Sequence, residues 1–399
     1  MVELNRRAML CAAAVATAGV LPQLLTGALA VQMRADLDFD AGQLGLSGAA
    51  FFGTGALLSA AGGRLSERVG PASAMRLAAL ASAAVLLALS LAPSYAALLA
   101  LLAVGGAANA LAQPATNLLI ARAVPPERLG LAFGVKQSAI PIAALLGGLS
   151  VPTVALTIGW RWGFAAAATG SVLLALVRPG IEPHVRVSGP TRRPASDAGA
   201  RPLLLLAVAV GFGAAAAGTI GTFLVSAAVD AGITEGLAGL LAFGCAAAGI
   251  ATRLTVGVRA DRRGGRHLVA VSLMLGTGTF TYVLLATGVP TLFVPGAVLA
   301  YCLAWGWPGL FNLAVVRSNP GAPGAASGMT QTGTYVGAVA GPLVYGVVAD
   351  AAGYGWAWST SAVLSALATV TVIAARRALL AERGRRAVSS VADPSGPGT

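Results

Sequence analysis

A short charged segment that occurs twice constrains this chain more than any other feature. Residues 63–70 read GRLSERVG and residues 257–264 read GVRADRRG, so the two copies lie 194 positions apart in a chain of 399 residues. Each copy stands between two apolar segments of membrane-spanning length. A repeat spaced by about half the chain indicates a duplicated architecture. We therefore expect two homologous halves in tandem.

The same spacing relates other positions of the two halves. Within one residue of that offset, the pairs are Asn117 with Asn312, Arg122 with Arg317, Gly134 with Gly328, Gln137 with Gln331 and Gly147 with Gly341. Because these pairs lie outside the charged segments, the duplication extends well beyond them.

Composition assigns the chain to the membrane. Its residues are 57% hydrophobic and only 10% charged, and its mean hydropathy is +0.80, whereas soluble domains carry about 25% charged residues. The formal net charge of +12 does not indicate a nucleic-acid partner, because basic residues of membrane proteins gather in cytoplasmic loops. The three cysteines lie inside apolar segments, which predicts neither a disulfide framework nor a metal site.

Twelve apolar segments follow one another, each near the roughly 20 residues that cross the hydrocarbon core. They cover residues 9–33, 44–62, 73–91, 96–121, 129–158, 162–177, 203–229, 236–256, 268–287, 292–316, 326–348 and 356–375. The apolar run of the first, residues 8–33, exceeds the roughly 7–15 residues of a signal-peptide core, so we expect a retained helix. The predicted fold class is an all-α integral membrane protein with twelve transmembrane helices.

The predicted domain organisation follows from the polar stretches. Residues 1–178 and 203–377 form two six-helix halves, residues 179–202 are a Pro-, Arg- and Ser-rich linker, and residues 378–399 are a disordered tail. Basic residues concentrate at the N-terminus, in the repeated segments, in the linker and in the tail. By the positive-inside rule, both termini are predicted to be cytoplasmic, in a plasma or inner membrane.

The two repeated segments resemble motif A of the major facilitator superfamily, which reads Gly-x-Leu-Ala/Ser-Asp/Glu-Arg-x-Gly between the second and third helices. Twelve helices in two six-helix halves with a central linker are similar to that family over nearly the whole chain. The run Gly159-Trp160-Arg161-Trp162 before the sixth helix is a further similarity. The resemblance implies a secondary transporter that works by alternating access around a central site, commonly as a monomer.

The resemblance also implies a gating role for motif A. Each acid would latch its half to the fifth or eleventh helix of the opposite half in the outward-open state. The residues concerned are Gly63, Glu67, Arg68 and Gly70 in the first copy, and Gly257, Asp261, Arg262 and Gly264 in the second. The alternative is that these charges only cap and orient the loops.

Two cations lie within the predicted membrane segments. Lys136, the one lysine of the chain, follows Arg128 by eight residues, and Arg253 precedes Asp261 by eight, so each lies about 12 Å inward. Arg253 also stands four residues before Gly257, which is similar to monocarboxylate and oxalate carriers, where such an arginine binds the substrate carboxylate. Ionised groups inside a membrane are usually functional. The alternative is that they extend to the surface, or that Lys136 pairs with Asp261.

Polar and aromatic groups occur on the helices that would line the central cavity. The candidates for substrate binding, besides the two cations, are Gln23, Gln113, Asn117, Trp305 and Asn312. A few polar groups in an apolar cavity orient a small ligand. The alternative for such residues is hydrogen bonding between helices.

The sequence thus predicts a secondary active transporter of a small organic anion, a carboxylate. All fourteen acidic residues fall in loops or at helix ends, so none faces the two cations at mid-membrane. A multidrug or hydrophobic-compound exporter and a non-transporting membrane sensor are the alternatives. Walker, nucleophile-elbow and metal-binding sequences are missing, so we expect no enzyme activity, cofactor or metal. The expected partners are the substrate, a co-transported or exchanged ion and the lipid bilayer, with no nucleic acid.

Overall fold

A computed structural model describes residues 6–124, 129–177, 198–262, 266–319 and 323–392. Over these residues every regular element is a helix and none is a strand. Twelve long helices are numbered here in chain order. The first six are Arg6–Ala28, Ala41–Val69, Pro71–Ser90, Tyr95–Ala123, residues 129–158 and Trp160–Leu176. The other six are Ala200–Asp230, Glu235–Arg262, His267–Ala286, residues 290–318, Pro323–Ala352 and Tyr354–Ala392.

The all-α membrane prediction is confirmed. Eleven helices of the described part are long and apolar enough to cross a membrane. The sixth, Trp160–Leu176, has 17 residues, which is at the lower limit of a spanning helix. A short helix, Ala30–Leu37, connects the first and second helices.

The last helix differs from the prediction. It continues to Ala392, so helix replaces the disordered tail expected from residue 378, while residues 393–399 lie outside the described residues. Ala, Leu, Arg and Glu dominate this extension, and all four favour helix. Glu382 Oε2 also accepts a hydrogen bond from the backbone N of Gly199 at 2.8 Å, which ties the extension to the start of the seventh helix. That helix begins at Ala200, inside the predicted linker, whose residues 179–197 lie outside the described range.

Two helices, the fifth and the tenth, are interrupted. The fifth consists of Leu129–Gln137, a break at Ser138, Ala139–Ser150, a π-helix at Val151–Ala155 and Leu156–Ile158. The tenth consists of Pro290–Leu299, a π-helix at Ala300–Ala304 and Pro308–Ser318. Prolines follow or enter these irregular segments, and a proline removes one backbone donor from the helix ladder. Both interruptions leave backbone carbonyls without an intrahelical partner.

The Gly159-Trp160-Arg161-Trp162 run fastens the sixth helix to the short connecting helix. Trp160 Nε1 donates to Asp36 Oδ2 at 2.8 Å and Arg161 Nη1 donates to the same oxygen at 2.6 Å. These hydrogen bonds, first that of Trp160 and then that of Arg161, lower the pKa of Asp36. Gly159 has φ +101°, a conformation open to glycine, which lets the chain turn directly into the sixth helix.

The two halves share an apolar core at the end of the bundle opposite the termini. That core contains Leu24 and Leu44 of the first half with Phe223, Cys245 and Tyr345 of the second. At the end that carries the termini the core divides. Separate clusters there belong to the first half, with Met9, Met75 and Leu119, and to the second half, with Leu206, Leu268 and Leu379. The halves are therefore packed together at one end only.

Glycines bring the backbones of opposite halves into contact at this closed end. A Cβ on Gly148 of the fifth helix would lie 2.7 Å from the Gly239 carbonyl oxygen and 2.7 Å from the Phe243 nitrogen of the eighth helix. In the same way, Gly45 of the second helix abuts the Pro342 carbonyl of the eleventh. Small residues permit this close packing of membrane helices.

Three polar contacts also join the halves at the closed end. The Asp350 carboxylate accepts hydrogen bonds from the backbone N of Ala41 at 2.9 Å and of Gly42 at 2.5 Å. Gln32 donates to Glu235 at 2.6 Å, and Arg34 donates to the Tyr354 hydroxyl at 3.2 Å. Asp350 thus binds the N-terminus of the second helix, where free N–H groups and the helix dipole favour an anion.

The opposite end is open. A Cβ built on Gly134, Gly257 or Gly328, which lie toward that end of the fifth, eighth and eleventh helices, would have no heavy atom within 4 Å. Together with the division of the core at this end, these open positions indicate that the two halves are in contact at the far end and separate toward the termini.

Substitution of Gly148 by alanine tests the glycine contact. The added methyl group overpacks a backbone contact, so we expect Gly148→Ala to lower the free energy of unfolding by about 1–3 kcal/mol. Thermal unfolding of the purified protein measures this. Gly170→Ala is the matched control, because Gly170 also lies in a helix but has open space at its Cβ. An equal melting temperature for both variants would contradict a tight contact at Gly148.

Substitution of Asp350 by asparagine tests the polar closure. Loss of the charge at the helix N-terminus removes about 1 kcal/mol, which shifts the ratio of closed to open molecules at this end roughly fivefold toward open. Spin labels at the exposed residues Ala35 and Ala351, in a protein freed of its three cysteines, report the separation of the halves. Asp38→Asn makes the same charge change at an exposed residue of the same end and is expected to leave the distances unchanged. Identical distances in all three proteins would show that Asp350 does not hold this end closed.

Candidate functional site

Lys136 lies in the interior of the first half. Its side chain is only 5% exposed, and its Nζ donates a hydrogen bond to Gln113 Oε1 at 2.5 Å. Gln113 Nε2 in turn donates to Asn109 Oδ1 at 3.1 Å, one helical turn earlier. A polar chain therefore runs from the fifth helix along the fourth, and it begins at a cation.

Arg253 lies between the two halves. Its side chain is 9% exposed. Nη1 donates to the Gln137 carbonyl in the first half at 3.1 Å, and Nη2 donates to the Trp305 carbonyl in the second half at 2.5 Å. The guanidinium carbon also lies 5.6 Å from the centre of the Trp305 ring, within the range of a cation–π contact.

The carbonyls that Arg253 binds are those that the helix breaks leave free. The residue four positions after Gln137 is Pro141, which has no N–H to donate. Trp305 lies between the π-helix of the tenth helix and the segment that starts at Pro308. Unpaired backbone groups are costly inside a membrane. One guanidinium therefore stabilises both broken helices.

The two predicted cations lie on helices that meet at the break of the fifth helix. Arg253 binds the carbonyl of Gln137, the residue that follows Lys136. In this conformation neither cation reaches the surface, because both are buried. Among the described side chains, the ion pair found is Arg161–Asp36, so neither has a carboxylate partner there. The alternative pairing of Lys136 with Asp261 involves a side chain that lies outside the described ones.

Three buried polar atoms of the predicted site residues have no partner within the described part of the chain. They are Nε of Arg253 and both amide atoms of Gln23, whose side chain is 0% exposed. Gln23 lies in the first helix, where its Nε2 would be 3.2 Å from a Cβ on Gly48 of the second. Buried polar atoms are nearly always hydrogen-bonded, so these atoms are positions for a water molecule or a ligand.

The remaining predicted site residues divide into two groups. Trp305 is buried beside Arg253, and its ring meets that of Tyr301 edge-on at 5.2 Å. Asn117 and Asn312 are exposed and make no hydrogen bond to any described residue. The structure therefore places Trp305 beside Arg253 and Gln113 beside Lys136, and the role of the two asparagines in binding stays a prediction.

The motif A residues lie at the open end. Glu67 and Arg68 are exposed, Gly70 has φ +82°, and Glu67 forms no ion pair with the described residues. Gly63 and Gly257 have no close neighbour from the opposite half. Asp261 and Arg262 end the eighth helix, but their side chains, like all of Gly264, lie outside the description. A latch between halves that are apart has nothing to bind, so the gating role stays a prediction.

Sequence reasoning missed two parts of this site. The first is the pair of backbone carbonyls at Gln137 and Trp305, although Pro141 four residues after Gln137 was an available signal for the first. The second is Tyr301, which is buried and packs on Trp305. An aromatic residue in an apolar segment gives no sign by itself that it borders a site.

Comparisons with known proteins agree with this architecture. The family model described as Major Facilitator Superfamily matches residues 9–226 and again residues 203–394. No curated protein matches the chain. Among solved structures, the fold is similar to a bacterial homolog to the human lysosomal transporter Spinster in an inward-facing and occupied conformation, with a TM-score of 0.73 and 17% identity over 94% of this chain and 97% of that one. The unoccupied inward-facing form of such a homolog matches with a TM-score of 0.71 and 15% identity over 96% and 99% of the two chains.

These identities are low enough that the solved structures establish the fold alone. The family model is broader evidence, because its two matches together cover nearly all of the chain. The separate match to each half also agrees with the internal repeat. The chain belongs to the major facilitator superfamily of membrane transporters.

Proposed function

We propose that this transporter carries a small organic anion, a carboxylate, and binds it with Arg253 and Lys136. The observation that supports this proposal is the pair of buried cations at one helix break, without a carboxylate partner among the described residues. Buried charge is costly unless it is paired. An anionic substrate would supply the missing negative charge.

The chemistry of the two side chains suits a carboxylate. A guanidinium offers a planar pair of N–H donors that matches the two carboxylate oxygens, and an ammonium adds a compact charge. Nε of Arg253 has no partner in the described structure, so this donor is free to bind. A carboxylate is also a stronger acceptor than the neutral Gln137 carbonyl that Nη1 now contacts.

The contacts of Arg253 suggest how binding is coupled to movement. Its bond to Trp305 lies within the second half, whereas its bond to Gln137 crosses to the first. Rocking of the halves would break the hydrogen bond to Gln137 and leave the hydrogen bond to Trp305 intact. A substrate carboxylate that replaces the Gln137 carbonyl would therefore release the two halves from each other at this point.

The direction of opening follows if the termini are cytoplasmic, as the distribution of basic residues predicts. The closed end would then face outward and the open end inward. In the opposite state the Asp350 contact would break and the motif A acids would reach the other half. This assignment supports alternating access across a plasma or inner membrane.

Export of hydrophobic or cationic compounds is the competing function. A cationic compound at this site would lie beside two buried cations without a described carboxylate to offset the repulsion. The site therefore favours an anion over a cation.

A thermal-shift screen of the detergent-purified protein tests the proposal. Mono- and dicarboxylates are compared with cationic amphiphiles, on the native protein and on Arg253→Gln and Lys136→Gln. A ligand at 100 times its dissociation constant stabilises the native state by about 2.7 kcal/mol. We expect a carboxylate to raise the melting temperature of the native protein and to lose this effect in both variants.

Arg259→Gln is the matched control, because Arg259 lies on the same helix but is exposed. Its carboxylate shift should equal that of the native protein. Arg253→Gln also removes a donor from two backbone carbonyls, so each shift is measured from the melting temperature of the same variant without ligand. A shift produced by cations and unchanged in both variants would reject the anion proposal in favour of export.

A further inference from the structure

A groove on the outside of the second half lies apart from the central site. It runs between the seventh and twelfth helices at the end that carries the termini, and its volume is about 650 Å³. Two arginines, Arg201 and Arg377, border it, and Leu205, Val370 and Ile373 line it. The groove therefore combines two cations with an apolar wall.

The charged and apolar parts lie at different depths. Val370, Ile373 and Arg377 follow one another at helical spacing on one face of the twelfth helix, and Arg377 is about 10 Å nearer the terminal end than Val370. Arg201 lies in the first turn of the seventh helix, four residues before Leu205. Val370 is 65% exposed, so the apolar part opens to the membrane. The arginines lie nearer the terminal end of the groove, where the seventh helix begins.

The two arginines are available to a ligand. Both are exposed, and neither forms an ion pair with a described residue. The acid nearest to Arg377 in the chain, Glu382, is already engaged by the backbone N of Gly199 at 2.8 Å. That hydrogen bond holds the extension of the twelfth helix against the start of the seventh, which fixes the shape of the groove.

The first half provides an internal comparison. Its corresponding pocket, between the first, third and sixth helices, has a volume of only about 20 Å³ and contains one arginine, Arg76. Within the residues that the structure describes, the groove of the second half is therefore the larger of the two and is bordered by a second arginine.

We propose that this groove binds an anionic phospholipid from the leaflet on the side of the termini. The phosphate lies between Arg201 and Arg377. Each guanidinium group can donate two parallel N–H hydrogen bonds to two phosphate oxygens. An acyl chain lies along Leu205, Ile373 and Val370, which would otherwise face the bilayer without specific contact. Basic pockets between transmembrane helices on the cytoplasmic side of membrane proteins bind the head groups of anionic lipids. A soluble phosphate would use only the arginines.

Native mass spectrometry of the protein released from detergent tests the proposal. The probes are phosphatidylglycerol, phosphatidylcholine with the same acyl chains, and glycerol phosphate as the free head group. We expect phosphatidylglycerol to bind at lower concentration than the other two. In the variant that carries both Arg201→Gln and Arg377→Gln its affinity should fall roughly thirtyfold, since each charge contributes about a factor of five.

Two further variants separate the possible sources of binding. Arg76→Gln is the matched control, and its affinity for phosphatidylglycerol should equal that of the native protein. Ile373→Ser should weaken phosphatidylglycerol binding, because the acyl chain loses part of its wall. Equal binding of phosphatidylglycerol and phosphatidylcholine, or unchanged binding in the double variant, would overturn the proposal. Glycerol phosphate that binds as tightly as the lipid would show a free-phosphate site instead.

Discussion

The hydrogen bonds of Arg253 are the interaction on which the interior of this transporter depends. A membrane helix satisfies its own backbone, so a broken helix leaves carbonyls that water cannot reach. The fifth helix breaks before Pro141 and the tenth before Pro308, and the same guanidinium binds the carbonyls of Gln137 and Trp305. The irregular backbone and the buried cation therefore stabilise each other.

The closed end of the bundle is held by other interactions than those of Arg253. Glycines such as Gly148 let backbones touch, and Asp350 places a carboxylate at a helix N-terminus of the other half. Both contacts join elements that are far apart in the chain but lie at the same end of the bundle. Neither extends to the open end, where Gly134 and Gly257 have free space. The halves can thus separate at one end without loss of the packing inside each half.

Much of this fold was predictable from the sequence, because membrane helices and an internal repeat leave strong local signals. The repeat of residues 63–70 predicted two halves, and the distances of Lys136 and Arg253 from the charged loops predicted buried cations. Both side chains are buried in the structure. The helical extension to Ala392 was not predicted, because the hydrogen bond of Glu382 to Gly199 joins residues 183 positions apart.

Other features depend on which conformation the chain adopts, and a sequence contains no preference that can be read directly. Glu67 is free where the halves are apart, whereas Asp350 is bonded where they meet. Asn117 and Asn312 show a related limit, since equivalence by repeat predicts a common environment but not whether that environment belongs to the site.

Lys136 is the one lysine among 399 residues, and in the present conformation its ammonium is buried and bonded to Gln113. Besides the terminal amine, a reagent specific for primary amines therefore has a single target in this protein. The chain contains a built-in chemical reporter, whose rate of modification follows solvent entry into the centre of the molecule without any introduced label.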